Sequence, residues 1–398
     1  MKKRICLTIM VCIIFIILSI LTFQVYQYLR VKYAKIEVTL VEDLILEFYD
    51  QKKISDFIVD INGTIIDDSY IDSTVLGSKD ITFEFINNNH IKVKYTYTIE
   101  VVDTVEPFIF LGNRYRVLKG SNVDLVNAIM CGDNYDDNPT CIIKGDYDMS
   151  VVGEYPLTFE ATDQSGNMER VDFILEVYEK TNSNSTSKIE YQLFSDIVQE
   201  YKNEKTQIGI DVSAWQGDID FVALKEAGVE FIIIRVGGTK GTNGEYFLDS
   251  KFEQNIRNAN EYGIPVGIYF YSYADSIEGA TNDAKWVIEQ IKDYKVDLPI
   301  AFDWEEWAYF NDYHFSFFGL TSMAESFLKT IEEAGYQGML YSSKIYLDYV
   351  WLPTSYDIWL AHYTHQTSYE NYRFWQMCDN GLVDGINGAV DIDILKQQ

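Results

Sequence analysis

The chain is short of positive charge: 32 Lys and Arg stand against 61 Asp and Glu, a formal charge of -29 over 398 residues. Binding nucleic acid requires basic patches that displace counterions, so a nucleic-acid partner is excluded. The same deficit disfavours loose electrostatic attachment to anionic membranes or polymers. Histidine is nearly absent, with four residues, and they suggest no metal site. His362, beside a strand end, reads as structural. Cysteine is sparse and scattered: Cys6 and Cys12 lie in an apolar N-terminal run, Cys378 stands alone, and Cys131 and Cys141 flank a polar turn with no His or third Cys nearby, which excludes zinc. Asp133, Asp136 and Asp137 in that turn read as ordinary turn acids rather than calcium ligands. No metal and no cofactor is expected. A cleavage signal is missing as well: after the apolar run comes Gln24-Val25-Tyr26-Gln27-Tyr28, with no small-x-small site.

The composition is otherwise globular, with 47% hydrophobic residues and length enough for two or three cores. After Met1-Lys2-Lys3-Arg4, the stretch from Ile5 to Phe23 is broken only by Thr8, Ser19 and Thr22. At helical rise this run nearly matches the roughly 30 Å hydrocarbon layer. Residues 1–30 are therefore expected to form a cytoplasmic tip and a retained single-pass anchor through residues 5–23, with the rest outside the cell. Arg30, Lys32 and Lys35 weaken the charge asymmetry, so orientation leans on the later cysteines and on function.

Residues 31–103 alternate in the β manner, as in Ile81-Thr82-Phe83-Glu84-Phe85, and so do residues 104–180. The two segments look like copies: Asp72 to Glu84 lines up with Asp148 to Glu160, each followed by a final strand. The run from Val152 to Asn167 resembles the bacterial immunoglobulin-like modules of surface proteins. That resemblance implies a β-sandwich stalk, well marked in the second segment and faint in the first. A disulfide between Cys131 and Cys141 is expected if the stalk faces an oxidising exterior. Residues 181–206 read as a linker, polar from Thr181 to Ser187, with a short amphipathic stretch from Ile189 to Tyr201.

From residue 207 to 398 the pattern changes to helix, glycine, apolar strand, as at Gly228, Gly263 and Gly335. Helices are expected at Phe221 to Ala227, Ser250 to Tyr262, Ile277 to Tyr294 and Thr321 to Ala334. Such repeats mean parallel strands and right-handed crossovers, and about 190 residues suit an irregular α/β barrel of the TIM type better than a full eight-unit one. The stretch Leu298 to Trp307 begins as a buried strand and ends in carboxylates. Residues two apart on a strand share a face, so Asp303 and Glu305 point together, and Trp304 between them points toward the helices.

The domain opens with Asp211-Val212-Ser213-Ala214-Trp215-Gln216-Gly217, which resembles the first motif of the glycoside hydrolase family 25 lysozymes. Matches follow in order: Arg235, Gly267 to Tyr273, Asp303-x-Glu305, Tyr341, Trp359 to Tyr363, Trp375-Gln376 and Gly388 to Asp391. One departure is Asp393, where the family often has Asn. The resemblance implies an extracellular enzyme that cuts the β-1,4 bond between N-acetylmuramic acid and N-acetylglucosamine, with peptidoglycan as its partner. It assigns Glu305 as proton donor, the role its acidic neighbours also favour. Asp303 either attacks the sugar or steadies its 2-acetamido group. Substrate assistance is preferred because same-face neighbours start only about 6.5 to 7 Å apart. Asp211 and Asp391 complete the acidic set, and Tyr271, Tyr363, Trp375 and Arg235 are the expected substrate contacts. Alternatives are an inactive wall-binding or adhesive protein, which the intact acids disfavour, and a chitinase, whose D-x-x-D-x-D-x-E run is absent.

Overall fold

A computed structural model describes residues 2–180, 190–241 and 244–397, so the polar part of the expected linker, 181–189, lies outside the described residues. The chain divides into two compact units, Met1–Thr104 and Val105–Gln398.

The first unit begins with the helix Lys2–Lys32. Within it, Ile13–Arg30 is long and apolar enough to cross a membrane, and no part of that window is buried inside the protein. A small β module follows. Its long hairpin, Gly77–Asn87 with Lys92–Val102, turns every second side chain inward, burying Ile81, Phe83, Phe85, Val93, Tyr97, Ile99 and Val101. Ile45–Glu47 pairs in parallel with the second hairpin strand, and Gly63–Ile65 antiparallel with the first.

The second unit opens with a β module of the same strand order. Its hairpin is Gly153–Thr162 with Met168–Tyr178, joined in parallel by Arg114–Leu118 and antiparallel by Thr140–Lys144. The repetition reaches single side chains. Asp72 accepts from the backbone N–H and hydroxyl of Thr74, and Asp148, its counterpart in the alignment, accepts from those of Ser150. Cys131 and Cys141 are disulfide-bonded in this module.

The remainder of the unit is a closed barrel. Strands β1 (Thr206–Val212), β2 (Ile232–Thr239), β3 (Val266–Tyr271), β4 (Ile300–Asp303), β5 (Gly338–Ser343), β6 (Asp357–Ala361) and β7 (Phe374–Leu382) run parallel in sequence order. β8 (Val390–Lys396) is antiparallel to both β7 and β1 and closes the ring. Helices α1 (Phe221–Ala227), α2 (Phe252–Tyr262), α3 (Ile277–Ile291), α4 (Phe317–Glu333) and α5 (Lys344–Tyr349) fill the first five connections. Among the described residues eight strands form the ring, and the two connections that lead into β7 and β8 carry no helix. Gly228 and Gly263 end α1 and α2 in the left-handed conformation, which glycine adopts without the Cβ penalty. Ahead of β1, Gln192–Leu193 adds to the edge of β7, and the helix Phe194–Tyr201 buries Phe194 and Ile197 against the same core.

Alternation sorts the barrel side chains into two sets. Ile210, Ile234, Ile268, Phe302, Leu340, Leu360, Trp375 and Ile392 lie in the layer between sheet and helices. Ile233, Tyr269, Ala301, Met339, Tyr341, Trp359, Phe374 and Leu395 pack inside the ring.

Candidate functional site

The inward set changes character along each strand. Two residues beyond Ala301 comes Asp303, two beyond Phe374 comes Gln376, and on β8, which runs the other way, Leu395 is followed toward the same end by Asp393 and Asp391. Pairing register brings them together: Asp211 stands opposite Asp391, and Asp303 lies between Tyr271 and Tyr341. Glu305 follows two residues after the end of β4. The four expected acids thus meet at the C-terminal mouth of one barrel, where catalytic groups of such folds gather.

Gln376 is the hub of this cluster. Its Nε2 donates to Asp211 Oδ2 at 2.8 Å, and its Oε1 accepts from the Tyr341 hydroxyl at 2.9 Å and the Tyr363 hydroxyl at 3.0 Å. One amide therefore ties β7 to β1, to β5 and to the loop after β6. Asp393 is fully buried and accepts from Trp359 Nε1 at 2.8 Å, so the acid that departs from the usual Asn keeps a hydrogen bond through its oxygen.

Burial dominates the electrostatics. Asp211 and Asp303 are buried, and loss of hydration pushes both far above the usual carboxylate range, with Asp393 acting further on Asp211 and Glu305 on Asp303. Asp391 is raised to about 8 by burial and the nearby charges of Asp211 and Asp379. Glu305 remains open to solvent at the cavity, but the surrounding walls strip part of its hydration and raise it as well. Like charges so close disfavour joint ionisation, so the ionisation of either carboxyl in the Asp303 and Glu305 pair is felt by the other. Asp303 Oδ1 is buried with no hydrogen-bond partner among the described residues.

Beside Glu305 opens a cavity of about 520 Å³, lined among others by Trp307, Tyr341, Lys344, Tyr346, His362 and Tyr363. The Lys344 ammonium is paired with Asp348. Tyr363 is half exposed and Tyr271 partly exposed, so both can meet a ligand.

Trp375 does not, which corrects its expected role as a substrate contact. Gln376 next to it points inward, so Trp375 must point outward, where it is buried against Tyr201 and Tyr372 and donates to the His362 carbonyl. Arg235 is inward, but its guanidinium is held by the buried Asp249 at 2.7 to 2.8 Å. It serves the site as a fixed positive charge that opposes the rise at Asp303. Trp304 is wholly buried behind the strand, its Nε1 donating to the Ala274 carbonyl. Burial lifts the Cys378 thiol to about 12, too high for a thiolate nucleophile. Reasoning from the residues passed over Gln376 and Asp249 as site members. The Trp375-Gln376 motif was the signal for the first; Asp249, beyond β2, left none.

A family model for the glycosyl hydrolases family 25 matches residues 210–386. The uncharacterized protein YegX of Escherichia coli K12 is 31% identical over 195 residues, covering 47% of this chain and 69% of YegX. The autolytic lysozyme of Clostridium acetobutylicum is 28% identical over 190 residues, 46% of this chain and 54% of that protein, so the chain spans about half of its length. A solved family 25 glycosyl hydrolase from Bacillus anthracis aligns at 22% identity and a TM-score of 0.44, covering 53% of this chain and 95% of that one. The match to YegX reaches across most of that protein, and the family model spans the barrel from β1 to the threshold of β8, so the chain belongs to the glycosyl hydrolases family 25.

Proposed function

We propose that the chain is a membrane-anchored peptidoglycan hydrolase that cleaves the β-1,4 bond between N-acetylmuramic acid and N-acetylglucosamine. The observation that carries this reading is the convergence of Asp211, Asp303, Glu305 and Asp391 on one mouth, where Glu305 of the four lines the adjoining cavity. The names of relatives such as the autolytic lysozyme support the substrate class.

Glu305, whose loss of hydration favours the protonated form, donates to the departing glycosidic oxygen. Asp303 lies beside it at the base of the mouth, where its carboxyl group orients the 2-acetamido group of the sugar. Held there, the acetamido oxygen attacks the anomeric carbon, and the negative charge of Asp303 stabilises the oxazolinium-like intermediate that water then opens. Asp211, fixed by Gln376, and Asp391 set the local potential. Tyr271 and Tyr363 offer faces and hydroxyls to the sugars. Arg235 touches no sugar in this scheme and acts by balancing the charge of Asp303.

Digestion of purified peptidoglycan, followed by mass identification of the new reducing sugar, tests the reading. Muramic acid at the new end is expected; glucosamine there, or no release, overturns it. The apolar helix supports the anchor, and the two β modules are read as an immunoglobulin-like stalk that carries the barrel outside the cell. Fractionation should recover the intact chain in membranes, and a soluble form beginning after residue 23 would defeat that part.

A further inference from the structure

The second β module meets the barrel on the loop that follows Glu305. Asn311, in the short helix Phe310–Tyr313, is clasped by module backbone: its Oδ1 accepts from Cys131 N at 3.0 Å, and its Nδ2 points at the carbonyls of Ile129, Asn127 and Val126 at 2.8, 3.2 and 3.4 Å. Next to it, Asp312 accepts from Asn127 Nδ2 at 2.8 Å. The end of the same loop is held too. The N–H groups of Phe317 and Phe318, in the first turn of α4, donate to the Asp133 and Asn134 carbonyls at 2.7 and 3.1 Å.

Aromatic contacts carry the junction onward to the cavity. Phe110 of the module lies 5.7 Å from Tyr346, and Tyr346 stacks on Trp307 at 3.7 Å between centroids. Trp307 lines the cavity together with Glu305. Phe108 stacks on Tyr349 at 5.0 Å. The approach is close enough that a Cβ at Gly132 would sit 2.6 to 2.7 Å from the rings of Phe317 and Phe310. A passive spacer has no need of an amide clasp on the segment behind an acid.

We propose that the second β module is a working part of the active site, with Asn311 as a positioning residue that holds the loop from Glu305 to Ser316 so that Glu305 and Trp307 face the substrate. The inference rests on Glu305 as the proton donor. Misplacement of a catalytic group by a fraction of an ångström costs rate rather than affinity. Loss of the clasp therefore weakens proton donation more than any other part of the reaction.

The test uses the full chain with Asn311→Ala and, separately, Phe110→Ala, which alters a half-exposed ring and leaves the clasp intact. Each is assayed on soluble peptidoglycan glycan and on a nitrophenyl glycoside, whose leaving group departs without a proton. Asn311→Ala should lower kcat on the glycan by about tenfold with KM little changed, and on the nitrophenyl glycoside by less than about twofold. Phe110→Ala should move the same way by a factor of about two to three. Equal losses on both substrates mark a general structural effect and overturn the proposal, as does wild-type kcat in both folded variants. If Asn311→Ala fails to fold, Phe110→Ala decides on the same terms. Glu305→Gln run in parallel separates the two readings. Glycan cleavage that survives it removes the proton-donor assignment, whereas its loss beside unchanged Asn311 and Phe110 variants removes only the role of the module.

Discussion

The two ends of the barrel interior are built by the same strands and the same phase of alternation, yet they hold opposite chemistry. At the N-terminal end Phe231, Ile233, Met339, Phe374 and Leu395 form an apolar plug, with the rings of Phe231 and Phe374 edge to face at 5.7 Å. At the C-terminal end, Asp211, Asp303, Asp391 and Asp393 are held in surroundings that lift every one of their pKa values. Two residues of strand separate a layer that stabilises the fold from one that costs stability. Carboxyl groups deprived of water destabilise a fold unless they are neutral or paired, so their presence at one end only marks where function overrides economy.

Substitutions at the two ends should split activity from stability. The largest effect belongs to Glu305→Gln, which keeps shape and removes the transferable proton. Its kcat on peptidoglycan should fall by about 10²–10⁴ while the melting temperature stays within a few degrees of wild type. Full activity would mean that the acid roles are assigned wrongly.

At the opposite end, Phe374→Ala opens a cavity in the plug. It should cost about 3–5 kcal/mol in denaturant unfolding and leave kcat of the folded protein within about threefold of the parent. A collapse of kcat without loss of stability would erase the distinction between the two ends.

Within the acidic end the effects should be graded. Asp303→Asn should approach Glu305→Gln in severity, because it removes negative charge where positive charge develops. Asp211→Asn and Asp391→Asn, at other strand ends, should lose about tenfold or less in kcat/KM. Equal losses for all four would make the cluster a single electrostatic unit rather than a set of roles.

The smallest effect sharpens the comparison through pH. Asp391 titrates at about 8 in the fold, against about 3.9 in an unfolded chain. Between these values the folded protein keeps a proton that the unfolded chain has released. Its stabilising contribution is therefore full below about pH 4 and is lost as pH rises through about 8. The denaturant midpoint should fall as pH rises from about 5 to 8.5, and Asp391→Asn should flatten part of that fall. A midpoint that climbs with pH, or an unchanged slope in the variant, would contradict the placement of this acid.

How far each feature could be read from sequence follows from the distance over which its cause acts. The helices α1 to α4 were legible to within a few residues because apolar spacing and glycine caps are local. Asp303 and Glu305 were legible because their strand is short, apolar and ends in acids. Trp375 was misread for an equally local reason: Phe374, Trp375, Gln376 and Met377 are all buried, and a strand covered on both faces gives no polar alternation to set its phase. The closing ring sets it, since Gln376 must face inward to reach Asp211, 165 residues earlier.

Sequence alone determined that an apolar N-terminal segment, repeated β modules and an α/β barrel follow one another, and that the barrel carries acids at its strand ends. Those properties are written in periodicities of two and 3.6 residues and in caps, each decided by neighbours a few positions away. Tertiary structure decided which acids share a mouth, which aromatics reach the cavity, and that Asn311 is clasped by a module up to 185 residues before it. Those outcomes depend on closure of the sheet and on contacts between remote backbones, and no local pattern in the chain encodes where a hydrogen bond of that span will end.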